Sequence, residues 1–170
     1  TNETQKQIAL ERDNCPEDKI FIVRNGPDHR VLYPVAPKPE LKQGFPYMVS
    51  YLGVINPQDG VDTLIHVAQH VVHQLGRTDI LFNIMGDGDA LDDLEKLAAQ
   101  LAVAQYIHFA GWVEQDTIRN YLSSSDVAVD TMPKTPYSDA ATLNKILEYM
   151  AVGCPTVCFD MVETRVSAGE

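Results

Sequence analysis

The stretch SDAATLNKILEYMAVGCPTVCFD, residues 138–160, reads as one helix delivered straight into one short strand. The helix is expected over 142–152. Gly153 and Pro155 end it, and the apolar run 156–159 follows at once as a strand. Leu143, Ile146, Leu147 and Met150 recur at helical spacing and form the expected buried face, while Asn144, Lys145 and Glu148 share another. Lys145 stands in the first turn, where free backbone N–H groups make the helix end partly positive. A cation there costs roughly 0.3–1 kcal/mol unless something anionic sits in front of it, and a phosphate would remove the conflict.

Working outward, the same helix-then-strand alternation fills most of the chain. Strands are expected at 47–53, 80–85, 106–110 and 126–130, separated by helices at 61–75, 90–103 and 116–122. Short strands, apolar on both faces and spaced by helices, define an α/β fold: a doubly wound, Rossmann-like parallel sheet with helices on both sides. Ligands in such sheets bind beyond the carboxyl ends of the strands, where the strand order reverses. Here those ends carry Gly53, Gly86-Asp87-Gly88, Gly111-Trp112, Asp130 and Asp160. Further upstream, a charged helix over 1–14 and a strand over 20–23 precede the turn Asn25-Gly26-Pro27-Asp28. Pro34, Pro37, Pro39 and Pro46 then mark a linker at 35–46.

Composition narrows the function classes. The chain has 170 residues, is 45% hydrophobic and has no apolar run near the ~20 residues of a membrane span. Its 13 basic against 24 acidic residues give a net charge of −11, which disfavours nucleic acid and anionic lipid and requires any phosphate to be held locally. Cys15, Cys154 and Cys158 are odd in number and contain no Cys-x-x-Cys pair, so neither a disulfide framework nor a zinc site is expected. His66, His70 and His73 share a helix face with Asp62 and Gln69, and a solvated face is the expectation rather than a metal site. Gly86-Asp87-Gly88 is no dinucleotide fingerprint, because Leu91 occupies the third glycine position. Asp130 at a strand end also permits a phosphoacceptor domain, which needs a second acidic cluster and a lysine at a later strand end, where Asp160 stands instead.

Function therefore turns on Lys145 and Glu148. A carboxylate one turn inside the helix can accept hydrogen bonds from the two hydroxyls of a ribose, while backbone N–H groups near Thr142, Leu143 and Asn144 receive a diphosphate. The same pair at i,i+3 spacing also permits a surface ion pair worth only ~0.2–0.5 kcal/mol.

Four segments occur in order: Tyr51-Leu52-Gly53 with residues 57–62, Ile84-Met85-Gly86-Asp87-Gly88, residues 108–113 and residues 144–151. Together they resemble the carboxyl-terminal, donor-binding half of a GT-B glycosyltransferase of group 1, also called family 4. The resemblance covers residues 47–170. It implies that residues 1–34 are the last piece of an amino-terminal domain missing from this chain; the start at Thr1 without Met and the stop soon after the strand at 156–159, without closing helices, set the separate expectation of a fragment at both ends. The resemblance further implies that the parent enzyme transfers a hexosyl group from a nucleoside diphosphate sugar with retention, with no cofactor and no obligatory metal. Catalytic roles then fall to Lys145 and Glu148. Gly53, Gly86, Asp87, Trp112, Val113, Asp139, Thr142, Leu143 and Asn144 join them in donor binding, with Trp112 and Val113 against the nucleobase. The expected partners are the donor and the absent domain, the expected location is the cytoplasm or the membrane periphery, and the fragment alone is expected to be inactive. The copy is unusual, because Ala140 replaces the family's first acid, leaving Asp139 as the nearest substitute, and Val54 and Asp59 occupy the positions of its usual basic pair. A non-catalytic nucleotide-binding or regulatory α/β module is the alternative.

Overall fold

The computed structural model describes residues 1–13 and 15–169. Five strands, β1 (Tyr47–Leu52), β2 (Ile80–Met85), β3 (Ile107–Gly111), β4 (Val127–Val129) and β5 (Thr156–Val157), form one sheet in the order β3-β2-β1-β4-β5. Every pairing is parallel. Helices α2 (Val61–His73), α3 (Leu91–Gln100), α4 (Gln115–Ser124) and α6 (Asn144–Ala151) connect them, with α1 (Glu3–Asp13), α5 (Pro136–Asp139) and α7 (Val162–Ala168) outside that alternation. Asn14, where the first helix was expected to end, lies outside the described residues. The chain winds outward from β1 to β3, then returns to place β4 on the other side of β1, so the order reverses between β1 and β4.

Side-chain alternation along the strands divides the core into two layers. Tyr51, Phe82 and Ile84 pack with Leu64, Ile65 and Ala68 of α2 and Leu94 and Ala98 of α3. Leu52, Met85 and Ala128 pack on the opposite face with Leu122 of α4 and Ile146 and Tyr149 of α6. The strands are not apolar throughout. Ser50 and Asn83 are fully buried and belong to a polar row in which Asn83 Nδ2 donates to Ser50 Oγ at 3.3 Å and Asn83 Oδ1 lies 2.9 Å from His108 Nδ1. Burial lowers the His108 pKa.

Helix α6 is rotated relative to its expected orientation. Met150 is 47% exposed, whereas Tyr149 is fully buried. The reason is the hydroxyl of Tyr149, which accepts from Leu52 N at 2.9 Å and lies 3.1 Å from the Val129 carbonyl. The β1–β4 ladder ends at the pair Ser50 and Ala128, so this hydroxyl serves the backbone groups where the two strands part. Tyr149→Phe keeps the ring but leaves a buried amide without its acceptor, a loss of about 1–3 kcal/mol that urea unfolding of the variant will register.

One further expectation differs. Residues 20–23 form no strand; Val23 N donates to the Thr1 hydroxyl, its carbonyl accepts from the Thr1 amino group, and no strand of the sheet pairs with the segment. The proline-rich stretch packs against α4, with Val35 N and Lys38 N donating to the hydroxyls of Ser123 and Ser124.

Candidate functional site

Three strand ends interlock beyond the sheet. Gly53 N donates to Met85 O at 3.0 Å and Gly86 N to Gly111 O at 2.8 Å. Gly86 has φ +143°, and a Cβ there would lie 1.8 Å from the Gly53 carbonyl oxygen. Only a residue without a side chain allows these backbones to approach so closely. Over them opens a cleft of about 300 Å³, walled by Leu52, Gly53, Val54, Gly86, Asp87, Trp112, Val113, Ile118 and Glu148. That volume is at the bottom of the roughly 300–1,000 Å³ range of small-ligand sites, so a ligand would be cradled along one side and open on the other.

Six expected residues, Gly53, Gly86, Asp87, Trp112, Val113 and Glu148, therefore line one cleft. Trp112 is 74% exposed, which excludes a core role and leaves a large aromatic face at the rim. Burial raises the Glu148 carboxyl pKa, opposed in part by the charge of Lys145.

Lys145 lies in the first turn of α6, as expected, but its charge is answered inside the protein. Its Nζ lies 3.3 Å from Asp130 Oδ1, with the lysine side chain 10% exposed and the aspartate side chain 0% exposed. It also donates to the Tyr51 hydroxyl at 3.0 Å and sits 4.4 Å from the centre of that ring. Tyr51 donates in turn to the Val54 carbonyl at 2.9 Å, and burial raises its pKa, so the phenol stays neutral. A Cβ on Gly53 would lie 3.0 Å from the ammonium, which places the cation directly beneath the cleft floor. The expected separate polar face of α6 is thus corrected: Lys145 points inward because Tyr51 and Asp130 both draw it there.

The other expected residues do not line the cleft. Asp139 Oδ1 accepts from Val162 N at the start of α7 and pairs with Lys134 at 3.5 Å. Thr142 Oγ1 accepts from Asn2 Nδ2 at 2.9 Å and lies 3.4 Å from Glu163 Oε2, in a network that also holds Arg24. Leu143 is the residue before α6 and supplies no side-chain cap to Asn144 or its successors, so the first amides of the helix keep donors to spare. Val54 is an exposed cleft wall, and Asp59 is buried in a reciprocal cap with Asn56, so neither position supplies positive charge. Sequence reading missed Tyr51 and the tie between Asp130 and Lys145. The available signal was a polar-tipped aromatic and an acid at the carboxyl ends of two largely apolar strands.

A doubly wound parallel sheet with a cleft beyond the carboxyl ends of its strands defines an α/β domain of the Rossmann type. Residues 46–170 match the family described as Glycosyl transferases group 1, and the chain belongs to that family. Among curated relatives, it is 31% identical over 153 residues to the uncharacterized glycosyltransferase MJ1607 of Methanocaldococcus jannaschii, a match spanning 85% of this chain and 37% of that protein. It is 40% identical over 74 residues to the lipopolysaccharide core biosynthesis glycosyltransferase LpsE of Rhizobium meliloti, covering 44% of this chain and 20% of that one. Among solved structures, Anabaena HepE in complex with UDP and glucose superposes with a TM-score of 0.74 at 18% identity, over 94% of this chain and 43% of that one. The fold is therefore the GT-B carboxyl-terminal type. The chain spans well under half the length of the curated relatives it matches. Among the described residues no helix is long and apolar enough to cross a membrane.

Proposed function

We propose that this chain is the nucleotide-sugar-binding domain of a retaining hexosyltransferase, with the cleft as the donor site. The observation that carries the reading is the meeting of three glycine-bearing strand ends, the exposed Trp112 and Glu148 around one crevice beyond the sheet, with the ammonium of Lys145 beneath Gly53. The structure of Anabaena HepE with UDP and glucose supports a nucleotide sugar as the ligand class. In this reading Trp112 and Val113 flank the base, and Glu148 accepts hydrogen bonds from the ribose hydroxyls. The diphosphate lies over Gly53 and Gly86. As the bond to the anomeric carbon breaks, negative charge grows on the leaving diphosphate, and Lys145 with nearby backbone N–H groups stabilises it without reorganisation. The donor is the substrate, and no cofactor enters. A further domain supplies the acceptor side, a reading supported by the greater length of the relatives.

A thermal-shift panel of uridine, guanosine and adenosine diphosphates tests this. The matching nucleotide at 100 times its dissociation constant stabilises the chain by ~2.7 kcal/mol, equivalent to a rise of roughly 5–11 °C for a protein of this size. If no nucleotide shifts the transition, the donor-site reading fails.

The raised pKa of Glu148 adds a signature. Ribose recognition needs the ionised carboxylate, so nucleotide affinity falls on acidification at a higher pH than an ordinary glutamate produces, and Glu148→Gln removes that dependence. The stability sign runs oppositely. A carboxyl whose pKa is raised by folding contributes stability below its unfolded pKa that is lost as pH rises through the folded one. Glu148→Gln therefore melts higher than the parent at neutral pH while binding nucleotide less well, which paired melting and titration curves will reveal.

A further inference from the structure

The pair beneath the cleft carries more than structure. Asp130 directly follows β4 with its side chain wholly out of water, and its Oδ2 has no hydrogen-bond partner among the described residues. Its other oxygen meets only the ammonium of Lys145 at 3.3 Å and, at 3.5 Å, Met132 N among the described residues. A buried carboxylate so sparsely served depends on its cation, because withdrawing one partner of a buried pair strands the other. Lys145 is meanwhile the cation directly under Gly53, and among the described residues the cleft wall contributes Asp87 and Glu148 but no second positive side chain. A diphosphate arriving at this floor meets an ammonium whose charge is already answered.

We propose that Asp130 sets the affinity of the site: it is a built-in counter-ion that shares Lys145 with the diphosphate and keeps nucleoside diphosphate binding weak. This rests on the donor-site reading above. Its use follows from charge. The diphosphate released after transfer bears more negative charge than the sugar ester that entered, so an unanswered cation would hold product more tightly than donor. Sharing Lys145 with Asp130 limits that excess and speeds release. Tyr51 keeps the ammonium in place, since its hydroxyl hydrogen is committed to the Val54 carbonyl and its lone pair faces Lys145.

The test is isothermal titration of the chain and of Asp130→Asn with uridine diphosphate, uridine and inorganic diphosphate. Uridine diphosphate and inorganic diphosphate are expected to bind about tenfold more tightly to the variant, with uridine unchanged within about twofold. In Asp130→Asn with Lys145→Met the gain disappears. If Asp130→Asn does not melt cooperatively, Asp130→Ser removes the same charge with less bulk and makes the same comparison. Unchanged or weakened diphosphate binding by a folded variant overturns the proposal, as does a gain that survives loss of Lys145. A chain that binds neither these ligands nor the guanosine and adenosine diphosphates overturns the donor-site reading itself. Normal binding with no effect of Asp130 overturns only the counter-ion role.

Discussion

Gly86→Ala lowers the stability of this chain by about 2–6 kcal/mol, the sum of about 1–3 for a strained backbone and about 1–3 for overpacking. The position has φ +143°, and the added methyl would sit 1.8 Å from the Gly53 carbonyl oxygen. Backbone cannot yield as a flexible side-chain tip does. Relief requires separating the ends of β1 and β2, which strains the bonds from Gly53 N to Met85 O and from Gly86 N to Gly111 O. For total stabilities of roughly 5–15 kcal/mol this is a large fraction, and at roughly 2–4 °C per kcal/mol the melting temperature falls by about 4–24 °C. Gly76→Ala is the control, since Gly76 has φ +64° but nothing within 4 Å of the point where the new methyl would stand; it costs only about 1–2 kcal/mol. Calorimetry showing equal losses at the two positions would refute the close-approach argument.

Glu148→Ala weakens nucleoside diphosphate binding by about 10- to 150-fold, the equivalent of roughly 1.5–3 kcal/mol for hydrogen bonds to a charged group. The carboxylate stands in the cleft wall with Gly53, Gly86 and Trp112, where burial raises its pKa. Titration with the 2′-deoxy nucleotide makes the assignment specific. Removing the ribose hydroxyl weakens binding to the unaltered chain but changes little in Glu148→Ala, because the partner has already gone. Independent, additive losses would assign Glu148 some role other than ribose recognition.

Much of the architecture was legible along the chain. Strand β2 falls at the expected residues, the other four lie within one or two residues of expectation at most ends, and the glycines at strand ends mark the cleft. These features rest on local patterning, since apolar runs, helical periodicity and chain-reversing glycines carry their own conformational preferences. The strand expected at 20–23 failed for the complementary reason: a β-prone run becomes a strand only where a partner offers its hydrogen bonds, and none does here.

Six of the residues named from sequence line the candidate cleft, but Asp139, Thr142, Leu143 and Asn144 do not, and the electrostatic arrangement beneath it was not legible at all. Residues 138–160 located Lys145 and Glu148 on one helix and correctly exposed the conflict of a cation in its first turn. They could not reveal how the conflict is resolved, because Tyr51 and Asp130 lie 94 and 15 residues away in sequence and reach Lys145 only through the reversal of strand order between β1 and β4. Nor could helical periodicity foresee the rotation of α6, because the force turning it is a tyrosine hydroxyl serving backbone groups of two strands at once. Local sequence thus specified the sheet, its helices and its glycine-lined crevice. Tertiary packing alone decided that Lys145 is buried against a carboxylate, since long-range pairing of charges depends on which strand ends the fold brings together.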